Sequence, residues 1–290
     1  MLAKLKEMFR SGGTKKARVH LDRRFTIVSE TGQGSMSKVY RAVDNSSGRT
    51  VCLKVQLPEK NQTAAARAGE ARPVEGELAM KVNHPRVVRT FEHGVSTRGE
   101  HFVVMEFVDG NSLQFVREVR TAPKLADKLE ILAQAAEGLA ACHAAGLIHH
   151  DINPRNYLVE RDGGVKLIDF GLTVPNTPVF RRPGNRTGTL SYMAPELVRR
   201  EPIDERIDVF AFGAMAFEFL TEKLPYDSTT SMASMLARIN HEPLDPARAN
   251  PALPPAVHDL LRKLTSRRKD QRWPKMETVA AAFRALRTKP

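Results

Sequence analysis

An aspartate, two asparagines, an arginine and two histidines fall within "IHHDINPRN", residues 148–156, and a second aspartate follows in "VKLIDFG", residues 165–171. Asp151 and Asp169 are separated by one short strand-turn-strand passage, so both can converge on one cleft, with Asn156 at its edge. Such an oxygen-rich set suits Mg²⁺, which binds through one or two carboxylates together with substrate phosphates. Phosphate chemistry is raised again by "TGQGSMSKVY", residues 31–40, where Gly32 and Gly34 let the backbone approach a phosphate and offer it amide N–H groups. Lys54 lies inside the apolar strand "VCLKVQL" and, if it points inward, needs an anionic partner. A phosphate together with Glu75, on the helix of "EGELAMKVNHPRVVR", would supply one. Taken singly, the glycines also suit an ordinary turn and Lys54 also suits the solvent face of its strand.

These groups need two kinds of scaffold. From Arg24 to about Phe107 the runs "RFTIVSET", "KVYRAVD", "TVCLKVQL" and "EHFVVMEFV" are rich in β-branched and aromatic residues and bounded by turn residues, which predicts strands. An alanine-rich stretch, residues 62–82, predicts one helix among them. From about Leu125 onward apolar residues recur every three to four positions, which predicts helices. A small strand-rich half followed by a larger helical half is an α+β arrangement.

The 290-residue chain is 41% apolar, enough for a sizeable buried core. Its formal charge of +12 suits a phosphate-bearing, anionic-membrane or acidic protein partner as well as a plain basic protein, and nothing singles out nucleic acid. With only Cys52 and Cys142, no disulfide framework or zinc site is indicated, and a reducing cytoplasm is expected. "VFAFGAMAFEFL", residues 209–220, is about half of the ~20 residues that span a bilayer. Residues 1–22 read as a basic extension. Leu2, Leu5, Met8 and Phe9 on one helical face leave a membrane contact through residues 1–10 open.

The order and spacing of "TGQGSMSKVY", "VCLKVQL", "IHHDINPRN", "VKLIDFG", "GTLSYMAPE" and "DVFAFG" resemble a eukaryotic-type protein serine/threonine kinase of the kind also found in bacteria. The resemblance covers about residues 25–286 and implies a bilobal protein-kinase-like fold: a strand-rich N-lobe over residues 23–107 and a larger helical C-lobe over residues 108–287. It implies ATP and Mg²⁺, or Mn²⁺ in its place, as cofactors and a protein as substrate. Gly32, Gln33, Gly34, Ser35 and Val39 resemble the loop that covers the phosphates. Lys54 resembles the phosphate-contacting lysine and Glu75 its helix partner, with Glu77 as fallback because Pro73 crowds the start of that helix. Met105, Glu106 and Val108 resemble the adenine pocket and hinge. Asp151 takes the part of the catalytic base, Asn156 and Asp169 hold the metal, and His149 braces the loop. Glu196 with Arg272, and Asp208, resemble scaffold.

Two positions depart from the family loop H-R-D-x-K-x-x-N. His150 replaces the arginine that neutralises a phosphate on the activation segment, so activity without an activating phosphate is expected. Asn153 replaces the lysine beside the γ-phosphoryl group, where charge must be stabilised. Arg155, two residues on, is expected to restore that charge, so Asn153 and Arg155 join Lys54 and Asp151 in the expected catalytic set. Thr177 and Thr187 are candidate autophosphorylation sites. A nucleotide-binding scaffold without catalysis and a small-molecule phosphotransferase are the alternatives; "APE", "DVFAFG" and Arg272 argue against the second.

Overall fold

The computed structural model describes residues 18–33, 37–56, 73–119, 123–183, 187–226, 235–236 and 240–287. Gly34 and Ser35, the predicted amphipathic segment at residues 1–10, and most of the predicted helix at residues 62–82 lie outside them. The described residues of Met1–Ala71 and Thr90–Phe107 form one compact unit, and those of Arg72–Arg89 and Val108–Pro290 a second.

The first unit opens with a short helix α1, Leu21–Arg24, followed by β1, Phe25–Gln33; β2, Ser37–Asp44; β3, Arg49–Gln56; β4, Thr90–Val95; and β5, His101–Glu106. They form one antiparallel sheet in the order β1-β2-β3-β5-β4. The turn "NSSG" closes β2 to β3: Gly48 takes φ 69° and its N–H reaches the carbonyl of Asp44 at 2.7 Å. Alternation decides the faces. Phe25, Ala42, Val51, Leu53, Phe102 and Val104 form the core cluster on one side. Lys54, next to Leu53, therefore points to the opposite side, and it is buried there.

In the second unit α2, Glu75–Ala79, begins two residues after Pro73 and is the helix found in the described part of the alanine-rich stretch. There follow β6, Gly110–Ser112; α3, Leu113–Glu118; α4, Leu125–Ala144; β7, Leu147–Ile148; β8, Tyr157–Glu160; β9, Val165–Leu167; and β10, Val174–Pro175. The remaining helices are α5, Pro195–Arg199; α6, Arg206–Thr221; α7, Pro246–Ala249; α8, Pro255–Leu264; and α9, Met276–Arg287. α6 is the axis of this unit. Every residue from Ile207 to Thr221 is buried, as a helix that is apolar all round requires. Gly213 permits the approach of α8, since a Cβ there would stand 2.6 Å from Leu264 Cβ.

The sequence expectation of an α+β protein with a strand-rich part and a larger helical part holds. The described residues of 73–89 belong to the same compact unit as the helices. The cause is visible at their end: Val88 N–H and Leu167 N–H exchange bonds with Leu167 and Arg86 carbonyls at 2.9 Å, fastening this stretch to β9. Among the described residues no helix is long and apolar enough to cross a membrane, and Cys52 and Cys142 are both free thiols.

Candidate active site

The site in the helical unit is built on the loop between β7 and β8. β7 delivers the chain to His149 and His150, and His150 adopts φ 68°, a left-handed conformation that costs a non-glycine residue about 1–3 kcal/mol. Asp208 on α6 offsets that cost. Its Oδ2 accepts the N–H of His149 at 2.7 Å and its Oδ1 the N–H of His150 at 2.9 Å, while His143 Nε2 on α4 lies 2.9 Å from Oδ2. Burial alone would push the Asp208 carboxyl up, but the bond from His143 and the surrounding histidines outweigh it and hold it below the usual carboxylate range. An anionic acceptor on a buried helix thus clamps two consecutive amides of the loop.

His149 is completely buried, with its ring edge-on to Phe170 at 5.3 Å between centroids. Its Nδ1 accepts from Asp151 N–H at 3.4 Å, and its Nε2 has no hydrogen-bond partner among the described residues. Burial pushes the imidazole below its ordinary value, against the pull of Asp208, Asp151 and Asp169. Unfolded, the same ring takes a proton near pH 6.5, so below about that pH the unfolded chain binds more protons than the folded one. Stability contributed by neutral His149 is therefore present above pH 6.5 and lost as pH falls. We predict that the melting temperature drops between pH 7.5 and 5.5 and that His149→Gln reduces that drop; equal slopes for the two proteins would contradict it.

Asp151 is held at both carboxylate oxygens. Oδ1 accepts from Thr189 N–H at 3.0 Å and Thr189 Oγ1 at 2.8 Å, and Oδ2 accepts from Asn156 Nδ2 at 3.0 Å. Asn156 Nδ2 also donates to the Asp151 carbonyl at 2.7 Å. Gly188 brings Thr189 in: its φ is 111°, and a Cβ there would stand 2.5 Å from the His150 carbonyl oxygen. Thr187, one residue earlier, lies with Oγ1 3.3 Å from His150 Nδ1.

Asn153 is buried and stitches the same loop together. Its Nδ2 donates to the Asp151 carbonyl at 3.1 Å and to Thr189 Oγ1 at 3.2 Å, and its Oδ1 accepts Arg155 N–H at 2.9 Å. Arg155 is exposed, and its Nε donates to Gln114 Oε1 on α3 at 2.7 Å. Its side chain is thus engaged at the α3 edge of the loop.

Asp169 follows directly on a backbone bond from Ile168 N–H to the Asn156 carbonyl at 2.9 Å, so the two expected metal ligands flank one another across β8 and β9. Asp169 takes φ 65°, and its Oδ1 accepts Gly171 N–H at 2.9 Å. No group of three or more His, Cys, Asp or Glu placed to hold a metal occurs among the described residues. A carboxylate beside an amide oxygen is instead the small donor set that suits a Mg²⁺ shared with phosphates.

In the strand unit, β1 and β2 pair antiparallel, with Gly32 opposite Val39 and Gln33 opposite Lys38. Val39 stands opposite Lys54 in the β2–β3 register, and Lys54 opposite Val103 on β5. Met105 is buried and Glu106 half-buried at the end of β5. Val108 and Glu75 are buried in the helical unit.

The family model for the protein kinase domain matches residues 25–283. The chain belongs to the protein kinase domain family. Three relatives illustrate its range. It is 30% identical over 259 residues to a probable serine/threonine-protein kinase, pknA2, of Bifidobacterium longum, covering 87% of this chain and 33% of that protein. It is 33% identical over 280 residues to the serine/threonine-protein kinase pkn2 of Myxococcus xanthus, covering 92% and 33%. It is 30% identical over 267 residues to the serine/threonine-protein kinase PknD of Mycobacterium tuberculosis, covering 91% and 40%. The chain spans a third to a half of the length of such relatives. Two side chains that bond to the groups around residues 148–156 carry no signal in the sequence. His143 carries no motif of its own, and Gln114 sits 41 residues from Arg155 in an ordinary amphipathic turn.

Proposed function

We propose that this protein kinase domain transfers the γ-phosphoryl group of ATP to serine or threonine hydroxyls of protein substrates. The observation that carries the reading is the double anchoring of Asp151: Thr189 fixes one carboxylate oxygen and Asn156 the other, while Asp208 holds the loop beneath. A carboxylate fixed in that way can accept the proton of an acceptor hydroxyl without first reorganising. ATP with Mg²⁺ supplies the phosphoryl group and the metal charge that neutralises its oxygens.

Asn156 and Asp169 hold the metal in this reading. Lys54 contacts phosphate in this reading, supported by its burial on the side of the sheet opposite the core cluster, and Glu75 keeps the supporting role that the family resemblance gives it. The backbones of Met105, Glu106 and Val108 receive the adenine, and Gly32, Gln33, Gly34, Ser35 and Val39 cover the phosphates. Asn153 steadies Asp151 and Thr189 relative to one another through its two donor contacts. The two free thiols agree with a cytoplasmic setting.

The reading is tested by incubating the protein with Mg²⁺ and γ-labelled ATP, offering a generic basic protein in one arm and an aminoglycoside in the other. Label on protein serine or threonine is expected, falling by about 10²–10⁴-fold in Asp151→Asn. Label on the aminoglycoside would replace a protein kinase with a small-molecule phosphotransferase.

A further inference from the structure

Of the polar side chains in the catalytic loop, Arg155 alone turns outward: Asn153 and Asn156 on either side of it are buried, and Arg155 is exposed. It is nevertheless oriented at two points, its N–H on Asn153 Oδ1 at 2.9 Å and its Nε on Gln114 Oε1 at 2.7 Å. Gln114 is neutral, so the guanidinium charge is not compensated by the bond that aims it. Among the described residues no carboxylate forms an ion pair with Arg155, although the Glu118 carboxylate, bonded to the same Gln114, feels its charge.

The carboxylates nearby are committed elsewhere. Glu218 accepts the Tyr192 hydroxyl at 2.5 Å through Oε2 and pairs with Arg117 through Oε1. Glu118 accepts Gln114 Nε2 at 2.9 Å and also pairs with Arg117 at 3.4 Å. Arg117 is thereby consumed by two carboxylates, while Arg155 keeps both terminal amino groups of its fork. At the α3 edge of the loop the charges of Arg117, Arg155, Glu118 and Glu218 balance, and among these described groups Arg155 is the pre-aimed guanidinium that holds no ion pair.

That edge adjoins the path of an acceptor chain. Arg155 is four residues beyond Asp151, whose carboxylate any acceptor hydroxyl must approach. The segment that fixes Asp151 through Thr189 runs on to Tyr192, whose hydroxyl is tied to the same Glu218 that holds Arg117. An extended peptide advances about 3.3–3.6 Å per residue, so a side chain within a few residues of the acceptor comes within reach of Arg155.

Resting on the phosphotransfer reading above, we propose that Arg155, aimed by Gln114, is a specificity-determining contact that selects protein substrates carrying Asp or Glu within a few residues of the acceptor hydroxyl. A planar guanidinium with two open N–H groups matches a carboxylate in a bidentate fork. Because the contact is exposed, the selection weakens as salt rises.

The test uses serine peptides identical except for Glu or Lys scanned through the positions flanking the acceptor, with kcat/KM measured at low and high ionic strength. Wild type is expected to favour Glu by about tenfold at the responsive position at low salt, less at high salt. Arg155→Gln should flatten the preference, and Arg155→Glu should turn it toward Lys. An unchanged Glu-to-Lys ratio in Arg155→Glu would overturn the proposal, including the case where both peptides slow equally because Arg155 serves the phosphoryl group. If wild type labels no peptide and no protein, the phosphotransfer reading fails. Fluorescence anisotropy of the Glu and Lys peptides then decides on the same terms, since binding needs no turnover.

Discussion

Asp208→Ala is expected to abolish measurable phosphoryl transfer and to destabilise the helical unit by about 3–5 kcal/mol. The carboxylate is 1% exposed and accepts from His149 N–H, His150 N–H and His143, so its removal strands three donors at once, that of His149 fully buried and the other two partly buried. Each unpaired buried donor costs about 1–3 kcal/mol, less whatever water can enter the cavity. Activity suffers through a separate route. Without the clamp, the backbone of the left-handed His150 loses its buried acceptor, and displacing Asp151 by about 1 Å is enough to cost on the order of 10²-fold. Urea unfolding and the labelled-ATP assay read the two effects separately. Asp208→Asn keeps one acceptor oxygen but points an amide at the other donor, so it should fall between wild type and alanine in both. Near-wild-type transfer by Asp208→Ala would contradict the account of the loop.

The second large effect is expected at Arg272. Its guanidinium donates to both oxygens of Glu196, at 2.6 and 2.8 Å, and both side chains are almost wholly buried. It also reaches the carbonyls of Ser266 at 2.7 Å, Arg206 at 2.9 Å and Arg267 at 3.2 Å, and lies over the Phe210 ring at 4.9 Å. One side chain thus joins α5, the start of α6 and the segment after α8. Arg272→Ala leaves Glu196 as an uncompensated buried charge, and the loss should be about 3–5 kcal/mol. Arg272→Lys retains the charge without the planar fork and should recover only part of it. Removing both partners, as in Glu196→Leu with Arg272→Met, should cost less than the two single changes added together, because no charge is then left stranded. Additive losses in urea unfolding would count against a coupled pair.

What sequence could and could not reveal follows from what each feature depends on. The strands of the first unit and the helices of the second were legible because burial imposes a period on each, as at Val51 and Leu53 or along α6. Asp151, Asn156, Asp169, Glu196 and Arg272 stood out because each belongs to a short run of fixed spacing. The contacts that explain the two departures from the family loop were not legible. Asn153 meets Thr189 across 36 residues and Arg155 meets Gln114 across 41, and His143 meets Asp208 across 65. Those pairings are decided by how α3, α4 and α6 pack, which no local pattern encodes. The structure accordingly gives Asn153 the work of tethering, and gives the Arg155 side chain a neutral partner at the edge of the loop.

The same contacts bear on regulation. His150, which stands in for an arginine, faces the Thr187 hydroxyl, and Thr189 already grips Asp151. Thr187 and Thr189 thus tie their segment to the loop at residues 148–156 through their own hydroxyls. The most direct measurement is phosphoryl transfer by protein that a phosphatase has stripped and mass spectrometry has shown to carry no phosphate, followed from the first turnover beside Asp151→Asn. The account predicts label on serine or threonine of a protein substrate without a lag, and none above background for the variant. Tight binding of Mg²⁺-ATP with no transfer by either protein would contradict it and leave a nucleotide-binding scaffold.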